Sequence, residues 1–380
     1  MSSTCALPHG GGSVNTRDHD GVKDGVQERG LFGDDEKQNC TGQSQLTQEL
    51  AKGGLWGQPR DQRVNYINSH NDEDQDSPFW TAYNNTVASI EIDLWLYEDG
   101  KGINTSSCAP EEIPADQTLL IGHDLNDLDP RRTFKKVYLD PIMSILNETT
   151  SRPKPQGQHG WNGIFTDKGA PGETLLLTID LKENTDKIWE ALVKEFQPLF
   201  DAGLLTSFRR KEGATDLTDG YVDIKPLTVI GTGNTPYGKV IPMNPRFIFK
   251  DGPLMSIDEP IPNITNSVWN GNSDDTTPIY WHNSISPTAS DSIDKVLTLG
   301  LTESLKTGYR TAARLAHDMG IQTRWWGIGT AQLFDAALHY QKEIGGDWLN
   351  ADDLAEAVNF EKDRQREAST ECLSTTQDSD

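Results

Sequence analysis

The sequence predicts an α/β protein built on a parallel sheet, and three observations carry that reading. Short apolar runs alternate with longer amphipathic ones over roughly 300 residues, the pattern of repeated strand–helix units. With one hairpin set aside, the candidate strands number eight. No G-x-G-x-x-G follows the first of them, which weakens a dinucleotide-binding reading. Alternation alone allows a (β/α)8 barrel or an open doubly wound sheet. The count of eight fits the closed TIM barrel.

The candidate strands are 64–69, 89–96, 119–122, 175–181, 227–231, 246–250, 279–282, 322–327 and 347–350. Most are short and apolar, as strands buried on both faces are. The run "LLIG" at 119–122 is expected to fold back on 89–96, leaving the eight. "NTDKIWEALVKEFQPLFDAGLL" places Ile188, Leu192, Phe196 and Leu199 close to helical spacing, with Asn184 or Thr185 as cap. "TESLKTGYRTAARLAHDMGI" and "GTAQLFDAALHYQKEIGG" repeat the pattern and close on Gly. Between 246 and 279 Pro and Asn dominate and no helix is visible. "VIGTGNTP" comes late in the chain, and Pro236 stands where a phosphate-binding helix would begin.

Residues 1–60 hold hardly an apolar pair and read as a disordered leader; 61–366 form the barrel, and 367–380 read as a second disordered tail. With 34 Lys and Arg against 58 Asp and Glu, the formal charge is −24. That balance argues against a nucleic-acid partner or an anionic membrane surface. No apolar run approaches the roughly 20 residues of a membrane helix. Cys5, Cys40, Cys108 and Cys372 lie far apart and suggest neither a zinc site nor a disulfide framework. Sequons at Asn39, Asn84, Asn104, Asn147 and Asn263 lean towards a secretory route, yet no signal peptide is visible. The compartment stays open.

Four polar stretches end predicted strands: His70-Asn71-Asp72, Glu91-x-Asp93, His123-Asp124 and Asp180-x-Lys182. Residues two apart on a strand share a face, so Glu91 and Asp93 project together. Two buried carboxylates side by side need a cation. Oxygen ligands without thiolates suit one hard cation, Mg²⁺ or Ca²⁺. Two histidines near such an ion offer a general base and a general acid. With Lys182 offsetting charge at phosphorus, the kit suits phosphodiester cleavage. Each piece alone is weak, since an E-x-D is usually a solvated strand edge. Their order and strand-end placement give the reading its force. A metal amidohydrolase would want H-x-H on the first strand, and Asn68 denies it.

These motifs resemble those of the phosphatidylinositol phospholipase C-like and glycerophosphodiester phosphodiesterase superfamily. Within it the chain is similar to the fungal altered inheritance of mitochondria protein 6 family. The similarity continues through "RRTFKKVYLDPIMSIL", "FQPLFDAGLLT", "VIGTGNTP", "RFIFKDGPL", "RLAHDMGIQTRWWGIG" and "GGDWLNADDLAEAVNF", over roughly 300 residues at barrel scale. The resemblance implies a TIM barrel of the phospholipase C-like type. It makes His70 and His123 the acid–base pair, with Lys182 as the basic catalytic residue. Glu91, Asp93, Asn71 and Asp180 become the metal ligands. The expected protein is a metal-dependent phosphoric diester hydrolase acting on a small-molecule or lipid phosphodiester. A barrel that only binds phospholipid or phosphosugar is the alternative. Family members often read H-S-H-N-D-Y, whereas Asn68 and Glu73 stand in the outer positions here.

Overall fold

The computed structural model describes residues 54–58, 60–98, 103, 108, 111, 113–154, 160–293, 302–327 and 334–377. All lie within one compact unit, Asn39–Asp380. The expected leader falls outside the described residues up to 53. Its last part is packed: Leu55 is buried, and Trp56 stands 5.1 Å from Phe249 and donates Nε1–H to Asn283 O at 2.9 Å.

The strands, in chain order, are β1 (Asn65–Ser69), β2 (Val87–Leu96), β3 (Leu119–Ile121), β4 (Leu175–Leu181), β5 (Ser207–Arg210), β6 (Gly220–Asp223) and β7 (Leu227–Gly233). After them come β8 (Ile248–Lys250), β9 (Gly252–Pro253), β10 (Pro260–Thr265), β11 (Pro278–Tyr280), β12 (Thr288–Ser292), β13 (Gln322–Trp326) and β14 (Trp348–Ala351). The longer helices are α1 (Asp140–Thr150), α2 (Asp186–Asp201), α3 (Glu303–Asp318), α4 (Phe334–Glu343) and α5 (Leu354–Gln377).

Nine parallel strands follow one another in the order β8, β7, β4, β2, β1, β14, β13, β12, β9. Only Asp251 separates β8 from β9, so these two are halves of one stave, and the nine segments make an eight-staved barrel. The hairpin is where it was expected: β3 runs antiparallel to β2 with Leu94 opposite Ile121. The caps are too. Thr185 accepts from Ile188 N at the start of α2, and Gly320 takes a left-handed φ of 69° after α3.

One stave was misplaced. The run at 279–282 does not join the barrel: its strand β11 pairs antiparallel with β10 in a separate hairpin. The missing stave is β12, "TASDS", too small and polar to read as a strand. It pairs with β13 from Thr288↔Gln322 to Ser292↔Trp326. Helix α5 carries the chain to Gln377, past residue 367, where the tail was expected to begin.

The staves form because Leu, Ile and Val alternate outward with small or polar residues inward. Ile90, Ile92 and Leu94 are fully buried and share a core with Ile188, Leu192 and Phe196 of α2. The lumen is different. Asn68, Ser89, Glu91, Ser290, Arg324 and Asn350 are all buried and joined across β1, β2, β12, β13 and β14 by side-chain hydrogen bonds. A barrel interior is usually filled by branched apolar residues; this one is filled by a polar network.

Candidate functional site

The first strand ends beside the last. His70 N–H donates to Ala351 O at 3.0 Å, which sets the imidazole at the carboxyl end of β1. Its Nδ1 lies 2.7 Å from Oδ1 of Asp352, just past the end of β14. Burial works to lower the imidazole pKa, but Asp352 and nearby Glu91 outweigh it and the pKa is raised. A carboxylate at Nδ1 assigns the proton there and turns Nε2 outward as the basic nitrogen.

Asn71 follows in the left-handed region (φ 46°, ψ 52°) and starts a tight turn over Asp72–Asp74. Asp72 is fully buried and accepts from Ser69 Oγ at 2.6 Å, Phe79 N at 2.6 Å and Tyr138 Oη at 3.0 Å. It staples the turn. Glu73 is buried as well, with Oε2 3.4 Å from Asp93 N and Oε1 without a partner. Burial first, and Asp93 second, push its carboxyl well above the usual carboxylate range.

The paired carboxylates are placed by register. Asp93 on β2 is opposite Asp180 on β4, and Lys182 N–H donates to Leu94 O just beyond. Lys182 Nζ sits 2.7 Å from Asp93 Oδ2 and 2.9 Å from Asp180 Oδ2, spending its charge on both. Burial still raises the Asp93 pKa, and neighbouring Asp180 adds to it. Oδ1 of Asp180 stands where any side chain on residue 233 would have to go, at 1.7 Å, and Gly233 has φ +54°. Only glycine serves there.

Glu91, one turn of the pleat deeper, is matched by a cation that sequence proximity gave no hint of. Arg324 on β13 pairs with its Oε2 through Nη1, and Asn68 Nδ2 donates to the same oxygen at 2.9 Å. Burial raises the Glu91 pKa, but Arg324, His70 and these hydrogen bonds win, and it is lowered.

The expected metal site can be tested on these contacts. Glu91 commits Oε2, and Asp93 and Asp180 commit Oδ2; among the described residues their other oxygens take no hydrogen bond or ion pair. Three carboxylates with unspent oxygens on adjacent strands fit a hard cation in donor chemistry. They are not already drawn together: among the described residues, no group of three or more His, Cys, Asp and Glu side chains is disposed to hold a metal.

His123 is set apart from the others. Gly122 N–H donates to Asp93 O at 3.2 Å, so β3 returns the chain to the level of the carboxylates. The His123 side chain is 49% exposed, and its nearest acidic partner is its neighbour Asp124 at 3.7 Å. The structure thus joins His70, Glu91, Asp93, Asp180 and Lys182 into one mouth. Among the described residues, the side chains of Asn71 and His123 make no hydrogen bond or ion pair to that group.

Reading the sequence missed Arg324, Asp352 and the buried state of Glu73. Asp352 had a signal, since it too follows a predicted strand in "WLNADD". Arg324 had only its place inside an otherwise apolar run.

Residues 107–251 match the AIM6-like phosphodiesterase domain. The altered inheritance of mitochondria protein 6 homolog of Arthroderma benhamiae is 33% identical over 197 residues, 50% of this chain and 54% of the relative. The Eremothecium gossypii altered inheritance of mitochondria protein 6 is 27% identical over 314 residues, 77% of this chain and 69% of its own length. That of Lachancea thermotolerans is 28% identical over 334 residues, 77% and 65%. The chain therefore spans about half the length of the first relative and about two thirds of the others. The resemblance read from the motifs is borne out.

Proposed function

We propose that this chain, carrying an AIM6-like phosphodiesterase domain over residues 107–251, is a phosphoric diester hydrolase acting at the carboxyl end of its barrel. The observation that carries the reading is His70 held by Asp352 at 2.7 Å, beside a row of carboxylates anchored by Lys182. An imidazole oriented by a carboxylate, with a pKa raised from 6.5, is a competent base near neutral pH. In this scheme Nε2 of His70 takes the proton of the attacking hydroxyl or water. His123, free to turn at the rim, delivers one to the leaving oxygen. Lys182 lies close enough to the carboxylate row to offset charge building on phosphorus.

Glu91, Asp93 and Asp180 would hold one divalent cation, Mg²⁺ or Ca²⁺, with Asn71 as a neutral oxygen donor. Bound there, the ion would polarise a phosphoryl oxygen. Substrates in keeping with the fold are glycerophosphodiesters and phospholipids. The exposed His123 favours a second reading, a barrel that binds phosphorylated ligands without turning them over.

The test is hydrolysis of a panel of glycerophosphodiesters, phosphoinositides and sphingomyelin, with and without chelator, followed by phosphorus NMR. Turnover abolished by chelator and by His70→Ala supports the proposal. Binding without cleavage across the panel would leave the second reading standing.

A further inference from the structure

The mouth holds a cationic group with unspent donors, and the scheme above gives it no part. Arg324 is fixed on one edge: Nε–H donates to Ser290 Oγ at 2.9 Å, and Nη1 serves Glu91 Oε2 and Asn350 Oδ1, the latter at 3.2 Å. That uses the Nε proton and both Nη1 protons. Among the described residues Nη2 makes no hydrogen bond; it forms an ion pair with Asp251 Oδ2 at 3.8 Å, beyond hydrogen-bond length. Nor is Nη2 sealed away. Sealed polar atoms without a partner include Glu73 Oε1 and Trp325 Nε1, but not this one, and 7% of the Arg324 side chain meets solvent.

Place and rigidity make this edge useful. Arg324 lies on β13 opposite Ser290 of β12 and Trp348 of β14, so it sits on the lumen floor between strands. It is close enough to His70 to act on that imidazole's charge. Lys182, by contrast, gives its ammonium to Asp93 and Asp180. A guanidinium held by three partners has already lost its rotamer freedom, so an oxyanion binding its free edge costs little further ordering.

We propose that Arg324 is a substrate-binding residue: its Nη2 edge takes a non-bridging oxygen of the phosphoryl group, while its other edge keeps Glu91 in place. This deepens the phosphodiesterase reading and rests on it for the identity of the ligand as a phosphoester. The expected ligand is any phosphate mono- or diester small enough to reach the lumen floor. Arginine suits the task because its planar fork can serve a carboxylate and a phosphoryl oxygen at once, whereas lysine presents a point charge.

The experiment compares wild type, Arg324→Lys and Arg324→Gln by calorimetric titration with inorganic phosphate and with dimethyl phosphate. Circular dichroism and thermal melts run alongside. Arg324→Lys keeps a positive charge for Glu91 and serves as the folded control. The expected result is phosphate binding weakened about tenfold or more in Arg324→Lys at an unchanged melting temperature, as loss of a charge-assisted hydrogen bond implies. In turnover, KM should rise more than kcat falls. Equal phosphate affinity in wild type and a folded Arg324→Lys would overturn the inference, even if the enzyme cleaves diesters. Weakened binding in a protein that cleaves nothing would uphold the Arg324 site and sink the hydrolase reading instead. If wild type binds neither probe, the site assignment is overturned.

Discussion

Replacing Asp352 with asparagine separates charge from shape at the proposed base. The amide oxygen can still accept from Nδ1 of His70 across the 2.7 Å gap, so orientation is largely kept while the negative charge is lost. The magnitude follows from exposure. Asp352 is 61% exposed against 23% for His70, so the pair is solvent-screened and its coupling belongs at about 0.2–1 kcal/mol. The His70 pKa should therefore fall, and only modestly, when the Asp352 charge is removed. Glu91 remains to hold it up, and burial remains to pull it down.

The sign runs one way. A folded pKa above 6.5 means the pair stabilises the fold fully below pH 6.5, a contribution lost as pH rises through the folded value. For catalysis the base must be neutral, so the acid limb of kcat/KM should have its midpoint above 6.5 in wild type. That midpoint should move down in Asp352→Asn. The plateau should fall by about tenfold, well short of the ~10²–10⁴ for losing the base itself. Heteronuclear NMR titration of the His70 ring, with pH–rate profiles, reads both quantities. A His70 pKa that stays put or rises in the variant would refute the argument that Asp352 tunes this imidazole.

Other expectations follow from single contacts. His70→Ala and His123→Ala should each lower kcat by roughly 10²–10⁴; an unchanged kcat in His123→Ala would remove it from the acid role. Calorimetry should show one Mg²⁺ or Ca²⁺ bound by wild type and none by the doubly substituted Glu91→Gln/Asp93→Asn protein, and equal binding would end the metal proposal. Tyr138→Phe takes one of three bonds from buried Asp72 and should cost about 1–2 kcal/mol in urea unfolding, without touching the lumen. Deleting residues 1–53 should leave the melting temperature nearly unchanged, whereas deletion through residue 58 also removes buried Leu55 and the Trp56–Phe249 contact. The longer deletion should cost about 2–4 kcal/mol, and identical melting curves for the two would contradict the packing.

Strand β4 is found at 175–181 as expected, because a Leu-rich run bounded by polar residues has one strong local solution. The cap at Thr185 is local too, since an oxygen three residues ahead of an N–H is a property of the chain itself. The misassigned stave shows the opposite case. "IYWH" has high strand propensity and forms a strand, but pairing decides which sheet it joins, and its partner is β10. "TASDS" has little propensity and becomes a stave because β13 and β9 flank it.

The site divides the same way. Sequence by itself determined that His70, Asp180 and Lys182 stand at strand ends, and strand alternation put Glu91 and Asp93 on one face of β2, within the strand rather than at its end. It could not say what neutralises them. The cation beside Glu91 comes from 233 residues further along, brought there by barrel closure rather than by any local preference. The acid that orients His70 comes from 282 residues away, because β14 closes the ring against β1. Glu73 is buried against β2, with Oε2 3.4 Å from Asp93 N, a contact made across 20 residues. Local periodicity sets which side of a strand a residue takes; only the closed barrel sets which charges meet inside it, and at such distances their energy is decided by partners and solvent rather than by neighbours in sequence.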